Sequence, residues 1–170
     1  MSYHFTVLKF KIRKATFKDA PDILRAHQDS IRKIASKDHS DSQIAAWSDD
    51  LTAEGYVKAM TNGEEYYVAW NNQIIFGFSS MKDSTVMAVY VSKAAAGLGV
   101  GRALYDTLEK EAVKRSLTKL SLTSSLTARG FYKRLGFSEL EEVSHKFKSG
   151  EEVRCFKMEK SLCFSHLKSL

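Results

Sequence analysis

Gly97, Gly99 and Gly101 stand at alternate positions and are followed at once by Arg102. Glycines spaced this way let backbone N–H groups converge on a ligand with no Cβ in the way. If the turn opens a helix, its unpaired N–H groups and dipole, equivalent to about half a positive charge, favour an anion. The Arg102 guanidinium adds a whole charge. The segment Gly97, Leu98, Gly99, Val100, Gly101, Arg102 and Ala103 is therefore suited to a phosphate or pyrophosphate, while the glycines taken alone fit a plain tight turn equally well. Two familiar phosphate patterns fail on counting. G-x-G-x-x-G would need glycine where the chain has Arg102 or Leu104, and the nucleoside triphosphate loop would need Gly-Lys-Ser or Gly-Lys-Thr where it reads Gly101-Arg102-Ala103.

The glycines need a strand before them and a helix after them, and the sequence supplies both. Val86 to Val91 reads as a strand, and Ala103, Leu104, Leu108 and Ala112 recur at helical spacing. Upstream, a strand over Phe10 to Arg13 passes into a helix carrying Ile23, Leu24, His27, Ile31 and Ile34, with Thr16 as its N-cap and the sole proline, Pro21, in the first turn. The polar stretch from Ala35 to Asn62 predicts short helices and a mobile loop. Glu65 to Trp70 and Ile74 to Ser79 predict a hairpin about Asn71-Asn72-Gln73, since Asn tolerates left-handed turn geometry. These two and Val86 to Val91 form three consecutive antiparallel strands. Leu117 to Leu122 reads as a strand, Thr127 to Leu135 as a short helix ending at Gly136, and Val153 to Met158 as the last strand, with a charged turn at Lys146 to Arg154 before it.

The chain has 170 residues, of which 44% are hydrophobic, enough to fill one interior without staples. Residues 1–160 are expected to form one domain and 161–170 a C-terminal extension. Cys155 and Cys163 have no zinc-type spacing, so no metal is expected, and reduced thiols suit a cytoplasmic protein. The uncharged run from Tyr66 to Met81 is too short to span a bilayer and holds Asn71, Asn72 and Gln73. No apolar segment of signal-peptide type follows the N-terminal lysines. A net charge of +6 favours anionic ligands without naming one.

The chain resembles the GNAT superfamily of acetyl-CoA-dependent N-acetyltransferases, and among them the small stand-alone bacterial type. Ala96-Gly97-Leu98-Gly99-Val100-Gly101 matches the spacing of the family's cofactor loop, Gln/Arg-x-x-Gly-x-Gly/Ala. The run Ala128 to Phe137 matches its more specific second signature, Ala-x-x-Phe-Tyr-x-x-x-Gly-Phe, through Phe131, Tyr132, Gly136 and Phe137. Ala96 departs from the usual Gln or Arg, Ser92-Lys93 from the usual residue-Pro pair, and Ser125 from a common Asn.

The resemblance implies an α/β fold, with a mixed, mostly antiparallel central sheet flanked by helices and a parallel strand pair splayed to admit the cofactor. It implies that acetyl-CoA lies with its pyrophosphate on the glycine loop and its pantetheine arm along Val89, Tyr90 and Val91, near Ser125 and Phe131. It further implies direct attack of an amine on the thioester, an oxyanion held by a backbone N–H near Val91, and Tyr132 as proton donor to the thiolate. Met87 and Ala88 stand where relatives often have a carboxylate base. Glu64, Glu65, Asp83, His27 and His39 border the expected substrate side, and Trp47, Tyr56 and Phe76 are candidates for an acceptor pocket. The acceptor is expected to be a small-molecule or peptide amine, with homodimer formation through the C-terminal strands open and no nucleic acid or membrane partner. Two other readings stand beside it: a non-catalytic acetyl-CoA sensor, in view of Ala96 and the missing base, and a basic nucleic-acid-binding module.

Overall fold

The computed structural model describes residues 8–162. Strands β1 (Lys11–Lys14), β2 (Glu65–Trp70), β3 (Ile75–Lys82), β4 (Thr85–Val91), β5 (Lys119–Ser125), β6 (Ser138–Lys146) and β7 (Glu152–Ser161) form one seven-stranded sheet in the order β1-β2-β3-β4-β5-β7-β6. Every neighbouring pair is antiparallel except β4 and β5, which run parallel. Helices α1 (Ala20–Lys33), α2 (Asp41–Asp49), α3 (Ala53–Thr61), α4 (Val100–Lys114) and α5 (Arg129–Arg134) complete the chain. The expected mixed, mostly antiparallel sheet flanked by helices is the fold found.

Alternation along β2 sorts the core. Tyr66 and Val68 join Ile23 of α1 and Tyr56 of α3 on one face, whereas Tyr67 and Ala69 pack on the other, against Tyr105 and Leu104 of α4 respectively. Because both faces are covered, β3 is buried from Ile75 through Met81. Leu104 and Leu108 of α4 are fully buried, each stabilising the fold by roughly 1.5–3 kcal/mol. Ahead of α1, the Asp19 carboxylate accepts from the Thr16 N–H at 2.7 Å and from both Arg13 guanidinium nitrogens, which ties β1 to the helix start. The Arg13 guanidinium holds the Asp19 carboxyl down at about 2.

Several expectations need correction. Between Ala35 and Asn62 the expected short helices are present, as a 3-10 turn, α2 and α3, and they take up most of the stretch expected to hold a loop. The β2–β3 turn involves no left-handed Asn. Instead Asn71 Oδ1 accepts from the Gln73 and Ile74 N–H groups, so the side chain closes the turn. Strand β5 begins at Lys119 because the Ser116 and Leu117 N–H groups cap the end of α4, bonding Val113 and Ala112 carbonyls. Strand β6 was not anticipated at all. It is an edge strand whose charged residues face solvent and pair across to β7, Glu141 with Lys157 and Glu142 with Arg154, and only Leu140 and Val143 interrupt its polar run. Ser161 ends β7 and Leu162 is buried in the core; Cys163 and the rest of the expected extension lie outside the described residues.

Candidate functional site

Strands β4 and β5 share one registered pair, Thr85 with Ser121, and part beyond it. Met87 is the extra residue of a bulge, because Ser80 pairs with Ala88 and Met81 with Val86. The Ser92 N–H bonds the Phe76 carbonyl on β3, so strand alternation turns the Tyr90 backbone groups toward β3 and those of Val89 and Val91 into the gap.

A cavity of about 470 Å³ opens at this gap. Val89, Tyr90 and Val91 form its floor, and Ala96, Gly97, Gly99, Gly101 and Arg102 one end. Ser125, Thr127, Ala128, Phe131 and Arg134 line the β5–α5 side. Facing them from α1, the turn after it and α2 are Ser30, Ile31, Ile34, Ala35, Lys37 and Trp47.

The glycine loop is a turn of the kind the spacing predicts. Gly97 and Gly99 take left-handed φ values of 76° and 82°, which a Cβ would strain, and Gly99 caps α4. A Cβ built at either meets nothing within 4 Å, so open space lies beside the backbone there. The N–H groups of Gly97, Gly99, Val100, Gly101 and Arg102 have no backbone acceptor among the described residues, whereas those of Leu98 and Ala103 bond Ala95 and Gly99 carbonyls. The first set can hold an anion. Val100 is fully buried beneath the loop, Leu98 is half exposed at 52%, and Gly101 has space for a Cβ, 3.6 Å from the Phe131 ring. Arg102 pairs with Asp106 at 2.8 Å and remains largely exposed. Ser125 Oγ accepts from the Ala128 N–H at 3.3 Å, fixing the β5–α5 turn.

Tyr132 lies behind the cavity wall, its ring edge-on to Phe131 and Phe137. Burial raises its phenol above the ordinary value, and the neighbouring Tyr90 adds to the shift. Burial raises Tyr90 too, with the Cys155 thiol and the Trp47 indole facing it. Tyr90 packs with the α1 face of the sheet and Tyr132 with the α4 face, so the two approach each other at the gap.

None of the five candidate bases lines the cavity. His27 packs against Tyr90, the rings tilted by 42° with centroids 3.8 Å apart, and its Nδ1 bonds the Tyr56 hydroxyl at 2.9 Å. Burial pushes its pKa down to about 3, so the ring is neutral near pH 7. Glu64 accepts from Ser80 at 2.6 Å, Glu65 is paired with Lys14 and Arg115, and Asp83 occupies the β3–β4 turn. His39 stands edge-on to Trp47. Of the three aromatic candidates only Trp47 reaches the cavity; Tyr56 packs on His27, and Phe76 lies under α4. Ile31, Ile34, Lys37 and Arg134 escaped notice as wall residues. The helical spacing of Ile31 and Ile34 signals burial but not which cavity they adjoin.

The sequence model of the acetyltransferase (GNAT) domain matches residues 35–162. The chain belongs to the GNAT acetyltransferase family. Among solved structures it is similar to a GCN5-related N-acetyltransferase of Rhodopseudomonas palustris, at 27% identity and TM-score 0.83 over 94% of this chain and 99% of that one. The PaiA N-acetyltransferase of Thermoplasma acidophilum, solved with coenzyme A, shares the fold at 18% identity and TM-score 0.72, over 91% and 100% of the two chains. YncA of Salmonella typhimurium, solved with its cofactor acetyl-CoA, shares it at 21% identity and TM-score 0.64, over 92% and 95%. No curated protein matches the chain in sequence. Within this GNAT chain no helix of the described residues is long and apolar enough to cross a membrane.

Proposed function

We propose that the chain is a cytoplasmic N-acetyltransferase that moves the acetyl group of acetyl-CoA to a primary amine of a small molecule or peptide by direct attack. The observation that carries this is the coincidence, in one cavity, of the glycine loop, whose Gly97, Gly99, Gly101 and Arg102 N–H groups have no backbone acceptor among the described residues, with the parted strands β4 and β5. Acetyl-CoA supplies an activated thioester, with a pyrophosphate and a ribose phosphate that anchor it. Gly97, Gly99, Val100, Gly101 and Arg102 hold the pyrophosphate through their N–H groups, with the Arg102 charge adding to the helix dipole. The missing side chain at Ala96 lowers the number of contacts without closing the cradle.

The inward-facing backbone groups of Val89 and Val91 bind the pantetheine arm as an added strand would, beside Ser125 and Phe131. The Val91 N–H stabilises the oxyanion as the amine attacks. Tyr132, protonated near neutral pH like any phenol, gives its proton to the departing thiolate, whose basicity is close to that of an ordinary phenol. Among the described residues no carboxylate lines the cavity, so the amine loses its proton to water before it attacks or arrives neutral. The reading is tested by following thiol release from acetyl-CoA with a panel of amines. Amine-dependent release supports it; tight acetyl-CoA binding with no release from any amine points to a sensor instead. Pairing of two copies through the C-terminal strands is part of the same reading.

A further inference from the structure

Charge and polarity are distributed unevenly around the cavity. At the α4 end stand the N–H cradle and Arg102, and on α5 stands Arg134. The opposite wall is made by Ser30, Ile31, Ile34, Trp47 and the Tyr90 ring, with Lys37 as its one charged side chain among the described residues. Among the described residues nothing anionic lines it. Asp29 is bonded to Lys33 and to the Lys93 N–H, and Asp38 turns its carboxylate to Thr127. Lys37 pairs with no carboxylate among the described residues, in contrast to Arg102, which is held by Asp106.

A wall of this composition disfavours a polycation. Each extra ammonium group would lose hydration against Ile34 and Trp47 and meet a like charge at Lys37, with no carboxylate among the described lining residues to offset either cost. It suits a molecule with an apolar body, one amine and one anionic group.

We infer that the acceptor is a single amino acid with an apolar or aromatic side chain, its body lying against Ile34 and Trp47, which Ile31 backs from the core, and its carboxylate drawn to Lys37. The inference rests on the acetyltransferase reading and names its substrate class. In the transfer, the neutral amine nitrogen forms the new C–N bond as the thioester C–S bond breaks. The nitrogen gives up one proton to water and the sulfur gains one, so the products are an N-acetyl amino acid and coenzyme A. Lys37 acts through the carboxylate, so it governs which amine is taken rather than the chemical step.

The test uses the full chain with acetyl-CoA and three acceptors: phenylalanine, phenethylamine and spermidine. Phenylalanine is expected to show the highest kcat/KM, ahead of phenethylamine, which lacks the carboxylate, and far ahead of spermidine. Lys37→Gln, an exposed substitution that the fold tolerates, is expected to lower the phenylalanine-to-phenethylamine ratio of kcat/KM at least tenfold, through KM for phenylalanine, with acetyl-CoA affinity unchanged. A preference for spermidine overturns the inference, as does acetyl-CoA binding without acetylation of any of the three. So does a Lys37→Gln variant that weakens acetyl-CoA binding and leaves the ratio alone, since the lysine then serves a cofactor phosphate. A protein that does not bind acetyl-CoA at all removes the acetyltransferase reading itself, an outcome distinct from these.

Discussion

Thr127 donates a hydrogen bond to the Asp38 carboxylate at 2.7 Å, joining the β5–α5 turn to the segment between α1 and α2 across 89 positions of sequence. Its neighbours Lys37 and Ala128 line opposite walls of the same cavity. Further along, Gln43 donates to the Glu152 carbonyl and Trp47 lies near the Phe147 ring, so the α2 region is fastened to the β6–β7 hairpin as well.

The Thr127–Asp38 contact is exposed, and a hydrogen bond of that kind contributes about 0.5–1.5 kcal/mol net. Asp38→Ala is expected to speed acetyl-CoA dissociation by roughly two- to tenfold while the melting temperature hardly moves, since the bond joins two surface segments. Stopped-flow displacement of acetyl-CoA measures this directly. An unchanged off-rate means that the contact does not fasten the cavity.

The cradle glycines are not equivalent. Gly99 sits at positive φ, so Gly99→Val strains the turn and redirects the N–H groups at the head of α4. Gly101 is helical, and a Cβ there makes ordinary contacts with Phe131 and Val91 at 3.6 and 3.7 Å. Calorimetric titration is expected to show at least a hundredfold loss of acetyl-CoA affinity for Gly99→Val and less than about fivefold for Gly101→Ala. Equal losses in the two variants would mean that space, not backbone conformation, is what the loop requires.

His27 predicts how the fold responds to acid. Above 6.5, the ordinary histidine value, folded and unfolded chains both carry the ring neutral. Below it the unfolded chain takes up a proton that the folded chain refuses until about 3, so stability falls as pH drops through that window. The slope from this one group is at most about 1.4 kcal/mol per pH unit. Asp19 has the same sign in a lower window, since its carboxyl lies near 2 in the fold against an ordinary 3.8. Urea denaturation at a series of pH values is expected to show a flatter stability curve between pH 6 and 4 for His27→Gln than for the parent. An identical slope means that the ring charges without unfolding the chain.

How far these features were legible depended on whether a signal was local. The glycine loop was, because Gly97 and Gly99 are required by their own backbone angles and α4 begins where its apolar spacing begins. The signature around Phe131 and Tyr132 pointed to α5, and the first three hairpin strands followed from their apolar runs. Strand β6 was not legible. Its pairs, such as Glu142 with Arg154, stabilise an edge that faces water, and a charged run with two apolar residues carries no strand period. The acceptor wall was hidden for another reason. Ile31 and Trp47 come together only when α1 and α2 fold over the gap, and burial of His27 against Tyr90 depends on the same packing. Candidate bases chosen because they border the expected substrate side therefore fell in ion pairs, turns and the core.

The most direct measurement compares single-turnover thiol release from acetyl-CoA by the parent and by Tyr132→Phe, at saturating acceptor, together with the acetyl-CoA dissociation constant of each. The substitution removes one buried hydroxyl and keeps the ring that packs on Phe137. Turnover is expected to fall at least tenfold with acetyl-CoA affinity within about twofold of the parent, as loss of a general acid requires. Release at the parental rate would contradict proton delivery by Tyr132 through the gap between β4 and β5.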